Sequence, residues 1–219
     1  TILSQMPYLL QGLLIALELL GCLLALGFVL GMGLALMEVY GHWTLRWFGI
    51  LFERIFRGVP AIVLLLLFYF GVTDFVEIGS FTAAVLALGL RSAAYQSQIF
   101  RGAILSVPPA QMLAARAMGM SGPMAVRNII LPQALRLSIG PWTNEFSSEM
   151  KATSLAYVIG VVELTRQAKY IISSTQGNIL IVFAVVAAMY FIANWLGNRF
   201  LYGLERKLAV PGFEQREEA

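Results

Sequence analysis

The sequence predicts an all-α integral membrane protein with about five transmembrane helices, its amino terminus outside and its carboxyl terminus inside. Three observations carry this expectation. Of 219 residues, 59% are hydrophobic and 12% charged, and the mean hydropathy is +0.78, outside the range of soluble globular chains. Apolar runs that contain or extend to the roughly 20 residues needed to cross a hydrocarbon core recur along the chain. The basic residues collect in the segments that five spans would place on one side of the membrane.

The first apolar run covers residues 8–37. No basic segment precedes it and no small-residue cleavage site follows a short apolar core, so a retained helix is expected and not a cleaved signal. Within it, Gly27, Gly31 and Gly33 lie in "GFVLGMGLAL", where the Gly-x-x-x-Gly pair lets a second helix approach closely. Cys22 is the single cysteine, which excludes disulfides and zinc–thiolate centres within this chain. His42 is the single histidine; beside Trp43 it reads as an interfacial residue, and no metal site is expected.

Further runs at residues 61–70, 81–105 and 178–201 supply the second, third and last spans. The fourth is less plain. Residues 128–160 are apolar enough to cross but carry Glu145, Glu149 and Lys151, which a lipid-facing helix does not tolerate.

With the amino terminus outside, the inner segments hold Arg46, Arg54, Arg57, Arg101, Arg116, Arg127, Arg136, Arg199, Arg206, Lys207 and Arg216, eleven of the fifteen basic residues. The outer segments hold Asp74, Glu77, Glu163, Arg166 and Lys169, and Arg91 and Lys151 remain within the membrane. Four or six spans would separate Arg206 and Lys207 from the other basic segments. The topology therefore accounts for the net charge of +3 and the pI near 9.2, and no nucleic-acid partner is expected.

The largest inner loop, about residues 106–128, has its own pattern. "PPAQMLAARAMGM" opens on Pro108 and Pro109, which suit a helix entry, and continues in strong helix formers until Gly119. "SGP" at Ser121–Pro123 adds a second break, because proline lacks an amide donor and restricts the residue before it. The result is a short helix across the inner face, bounded at both ends. "MAVRNIILPQAL" then re-enters the bilayer.

This loop resembles the signature of permease subunits of ATP-binding cassette importers: Glu-Ala-Ala, three residues, Gly, nine residues, Ile, one residue, Leu, Pro. Ala114, Ala115, Gly119, Ile129, Leu131 and Pro132 fall at those intervals. "RIFRGVPAIVLLLLFYFGV", "AAYQSQIFRGAILSVPPAQ", "LPQALR", "NEF" and "KATSLAYVIGVVEL" are similar to segments of the polar amino acid uptake branch of that family. The chain departs from the pattern at Leu113 in place of Glu, Ala110 in place of Gly, Gln98 in place of an acidic residue and Ala152 in place of Asp. Leu113 exchanges a polar contact for an apolar knob on the same surface.

The resemblance implies the type I importer permease fold, one transmembrane permease domain over residues 1–219, and residence as a multi-pass protein in a prokaryotic cytoplasmic membrane. It implies two cytoplasmic ATPase subunits that carry ATP and Mg, a second permease subunit, identical or homologous, and an extracytoplasmic amino-acid-binding protein. The expected contact with the ATPases is Gln111, Met112, Leu113, Ala114, Ala115, Arg116, Ala117, Met118, Gly119 and Met120. No Gly-x-x-x-x-Gly-Lys-Ser/Thr phosphate loop occurs in the sequence, so this chain is expected to bind no nucleotide of its own by that motif.

Intramembrane polar groups mark the candidate substrate path, since each ionisable residue there costs about 2.5–3.5 kcal/mol unless paired or hydrated. Arg91, Tyr95 and Gln98 share one helical face at i, i+4 and i+7, with Ser92 and Gln96 beside it. Asn144, Glu145 and Glu149 form the second group, the two carboxylates one turn apart. Two readings of Arg91 stand together. It pairs with Glu145 or Glu149 and holds the bundle, or it grips a substrate carboxylate while the acidic residues meet an amino group. A passive pore is the alternative function, while a membrane enzyme lacks paired metal ligands, a nucleophile elbow or a histidine cluster.

Overall fold

The first apolar run becomes a rod longer than the bilayer needs: α1 (Ile2–Tyr40) has 39 residues, about 58 Å at the α-helical rise. The computed structural model describes residues 2–73, 77–175 and 178–208, so Asp74 and Arg216 of the charge assignment lie outside the described residues. Gly41 and His42 turn the chain directly into α2 (Trp43–Gly58), which folds back along α1 with Gly49 against Glu38. By sequence its arginines count among the inner segments, with no helix assigned there. Its Trp, Phe and Arg residues instead make an amphipathic helix, with Gly49 buried and Trp43, Trp47 and Leu51 exposed.

Gly58 to Pro60 break the rod, and α3 (Ala61–Thr73) continues for only 13 residues, too short to cross a bilayer alone. The expected second span is therefore two helices joined at a bend. Phe56 and Phe68 show how sharp it is: their ring centroids are 6.5 Å apart, where twelve residues of straight helix would advance about 18 Å.

The third run is α4 (Ser80–Ser106), 27 residues lying parallel to α1 in the most extensive helix contact of the fold. Small residues make the closeness possible. A Cβ on Gly31 would meet the Ala93 carbonyl oxygen at 2.9 Å, and one on Gly27 the Ser92 hydroxyl at 2.9 Å. The main core gathers here, with Leu19, Leu23, Leu65, Ala84, Ala87 and Leu88 fully or nearly fully buried.

After the inner loop, the fourth span is a chain of short pieces. α6 (Gly122–Ala125) passes through a π turn (Val126–Ile130) into α7 (Leu131–Leu137) and α8 (Ile139–Ala152), and a 3-10 segment (Thr153–Ile159) ends at Gly160. Pro132 and Pro141 sit near the starts of α7 and α8, where a missing amide donor removes least. Gly160 turns the chain at φ +102, a conformation that favours glycine.

α9 (Leu164–Thr175) and α10 (Ile179–Leu208) complete the chain. Among the described residues, α1 and α10 are the two helices long and apolar enough to cross a membrane unaided. α10 runs antiparallel to α8, with Gly197 against Phe146 and Ser147 Oγ donating to Asn198 Oδ1 at 2.9 Å.

Glu163, which the sequence places in an outer segment, is fully buried at the start of α9. It accepts from the amides of Thr165 (2.8 Å) and Arg166 (3.0 Å) and from the Tyr190 hydroxyl (2.8 Å). Burial pushes its carboxyl above the usual glutamate range, against the pull of those donors. It is a helix cap that also fastens α9 to α10. Glu163→Ala is expected to cost about 2–3 kcal/mol, by loss of the cap and the orphaned Tyr190 hydroxyl, read as a lowered unfolding temperature in detergent.

Candidate functional site

Two candidate sites emerge, one on α4 and one on the loop that follows it. The first is built on α4. Its residues Arg91, Tyr95 and Gln98 lie on a partly exposed side, while Ser92 and Gln96 are fully buried on the side facing α1. One helix thus presents two polar stripes with different surroundings.

On the partly exposed side, Arg91 Nη1 donates to Glu149 Oε1 at 2.6 Å, and the Glu149 side chain is 0% exposed. The Arg91 guanidinium also lies 4.7 Å from the centre of the Tyr95 ring. The Arg57 guanidinium occupies a second position over the same ring at 4.9 Å, and Arg57 pairs with Glu53. Cations attract the negative face of an aromatic ring, so Tyr95 helps hold two like charges close together. Further along, Gln98 Nε2 donates to both Glu38 oxygens at 3.2 and 3.3 Å, and Arg101 Nε stands 3.4 Å from Glu38 Oε2.

The buried stripe is a hydrogen-bonded chain. Ser92 Oγ donates to Glu145 Oε1 at 3.2 Å, and Gln96 Nε2 donates to Ser92 Oγ at 3.0 Å and to the Leu24 carbonyl at 3.2 Å. Trp142 Nε1 donates to Gln96 Oε1 at 2.8 Å. Ser92 and Glu145 are therefore brought together, inside the bundle, where they tie α4 to α1 and α8. Asn144 lies on the exposed side of α8, and the described hydrogen bonds connect it to none of these groups.

Sequence reasoning placed Gln96 beside the Arg91 face, counted Arg57 only among the basic residues of the inner segments, and passed over Glu38 and Trp142. Trp142 carries no sequence signal beyond being an aromatic inside an apolar stretch. Arg57 had one: residues 43–58 alternate apolar and charged groups at helical spacing, which makes a helix up to the Gly-Val-Pro break.

The second site is α5 (Pro109–Ala117), with Pro109 at its first position. The helix ends three residues before the expected Met120. Met118 to Met120 form its cap: the Gly119 amide donates to the Arg116 carbonyl (3.0 Å) and the Met120 amide to the Ala115 carbonyl (3.1 Å), with Gly119 at φ +85. This is a Schellman closure, which needs the left-handed conformation at Gly119. Ala115 is buried and Met112 packs against the inner cluster around Phe100, Ile104 and Ile130. Gln111, Ala114, Arg116 and Ala117 are exposed, as are Leu113 at 70% and Met118 at 79%. The helix is thus capped, seated along one side and open on the other, where it presents Leu113 and Met118 as large exposed apolar groups.

Comparison with known proteins gives the same architecture. Residues 27–210 match the family described as binding-protein-dependent transport system inner membrane component. The octopine transport system permease of Rhizobium radiobacter is 36% identical over 207 residues, covering 90% of this chain and 84% of the relative. The glutamine transport system permease of Escherichia coli K12 is 35% identical, covering 85% of this chain and 86% of that protein. The L-cystine transport system permease of Bacillus subtilis is 37% identical, covering 84% and 80%. A crystal structure of an amino acid ABC transporter with histidines superposes with a TM-score of 0.86 at 34% identity, covering 94% of this chain and 96% of that one.

Proposed function

Because the chain belongs to the family of inner membrane components of binding-protein-dependent transport systems, we propose that it is the membrane-spanning subunit of an ATP-binding cassette importer for polar L-amino acids. The observation that carries the mechanism is α5: a rigid helix with a seated face and an exposed apolar face, joined directly to the fourth span. Force applied to Leu113 and Met118 by a partner passes through the packed Met112 and Ala115 into the body of the permease. Curated relatives that transport octopine, glutamine and cystine support an amino acid or amino acid derivative as cargo.

In this reading the chain forms one permease domain with its amino terminus outside. The spans are α1, the bent pair α2 and α3, α4, the segmented α7–α8 with its 3-10 end, and α10. Two cytoplasmic ATPase subunits, which hold ATP and Mg, receive α5. A second permease, identical or homologous, completes the path, and an extracytoplasmic binding protein delivers the solute. Arg57 and Arg91 on Tyr95 offer guanidinium groups for a substrate carboxylate, and Glu149 holds Arg91 in place between transport events. Closure of the ATPases on α5 drives the change between inward-open and outward-open states.

The test is uptake of radiolabelled L-amino acids into proteoliposomes holding the permease and its ATPase partner. Uptake that requires ATP, solute and binding protein is the expected result. Flux without nucleotide would instead establish a passive pore. Within that assay, Met118→Glu places a charge on the apolar contact and is expected to reduce substrate-stimulated ATP hydrolysis at least about tenfold while the permease remains folded. Ala115 is unsuited to this test because a charge there enters the packed side of the helix.

A further inference from the structure

The topology leaves Arg166 and Lys169 as the basic residues of the outer segments, against the bias that keeps cations inside. Both belong to α9, one turn apart. The opposite side of that helix is fixed: Leu164, Ala168 and Ile171 are buried with Leu9, Val182 and Val186, and Glu163 caps its start. The two cations are held on their outer side by rings and backbone. Arg166 Nη1 donates to the Tyr157 carbonyl at 2.8 Å and its Nε to the Tyr170 hydroxyl at 2.8 Å, while Lys169 Nζ stands 4.0 Å from the centre of the Tyr157 ring and is exposed. Neither takes part in the ion pairs of the described residues. Tyr157, Val158, Arg166, Lys169 and Tyr170 wall an open cavity of ≈ 390 Å³.

The arrangement is a preordered cationic surface with no acidic partner among the described residues, and preordering reduces what binding must immobilise. One wall of the cavity comes from the 3-10 segment Thr153–Ile159, which directly continues the helix bearing Glu149 and buries Ala156 and Ile159 in the core. The cations thus sit at the outer mouth of the charged path, where a delivering protein has to arrive. We propose that Lys169 and Arg166, over the cavity walled by Tyr157 and Tyr170, dock an acidic surface patch of the extracytoplasmic binding protein. This rests on the orientation and partners proposed above.

A cysteine at position 169 in a Cys22→Ala background, probed in intact cells with a membrane-impermeant maleimide, first tests the orientation. Labelling from outside is expected; labelling only after permeabilisation would overturn both the orientation and the docking site. The importer is then placed in phosphatidylcholine nanodiscs with its ATPase and the solute-loaded binding protein of the same system. Lys169→Glu is expected to raise the half-saturating concentration of binding protein about tenfold, with rates normalised to hydrolysis in its absence. Lys169→Gln should give a smaller shift, Lys169→Arg none, and about 0.5 M salt should weaken the wild type in the same direction. An unchanged half-saturation for Lys169→Glu, with outside labelling intact, overturns the docking site and leaves the importer reading standing. A shift seen only when anionic lipid is present assigns the cations to lipid headgroups and also overturns it.

Discussion

Replacing Glu149 by alanine is expected to cost about 3–5 kcal/mol, because it strands the Arg91 guanidinium in a site where Arg91 is only 17% exposed. The loss will appear as a collapse in the yield of monodisperse permease and in its unfolding temperature. The double variant Arg91→Met/Glu149→Leu removes both charges and fills the space with apolar groups of similar size, so most of that stability should return. Its activity then separates the two readings of Arg91. A stable double variant that hydrolyses ATP in response to substrate with unchanged concentration dependence makes the pair a bundle fastener alone. A stable double variant that has lost the response assigns the pair to the substrate path.

Gly31→Leu is expected to cost at least about 3 kcal/mol, at the upper end of overpacking effects. A Cβ at that position meets the Ala93 carbonyl oxygen at 2.9 Å, the Gln96 Cβ at 3.0 Å and the Ser97 amide nitrogen at 3.0 Å. Two of those three atoms are backbone, so no side-chain rotation relieves the contact, and α1 has to move away from α4. The movement also pulls on the Gln96 bond to the Leu24 carbonyl. Gly33→Leu is the control: nothing lies within 4 Å of a Cβ there, and the change should stay within about 0.5 kcal/mol. Thermal unfolding of the two variants in detergent checks the contrast.

The long apolar runs and the breaker-bounded loop were legible because each depends on local chemistry. Pro109 can only enter a helix and Gly119 readily closes one, so the position of α5 follows from two residues. The second span was not legible in full. Arg46, Glu53, Arg54 and Arg57 lower the hydropathy of residues 43–58, and those charges read as loop residues until the fold supplies Glu53 and Tyr95 as partners for Arg57. The same limit applied to Arg91. Helical spacing placed Glu145 and Glu149 on neighbouring turns, but only the packing of α8 on α4 gives Glu149 the guanidinium and Glu145 the Ser92 hydroxyl. The burial of Glu163 was not legible because a buried cap and a surface carboxylate look alike in a sequence; the difference lies in Tyr190, 27 residues away. The apolar first run likewise hid Glu18, which is exposed on α1.

The bend between α2 and α3 sets a condition on hydration. A helix interrupted at Gly58, Val59 and Pro60 leaves the last carbonyls of one piece and the first amides of the next without partners in their own helix. Arg57, at the edge of that interruption, stands over the Tyr95 ring of α4, so in the five-span reading proposed above these backbone groups lie within a membrane-spanning segment. Hydrocarbon cannot satisfy them. In that reading the break has to be wet, and the water that solvates it also lowers the cost of bringing a zwitterion past it.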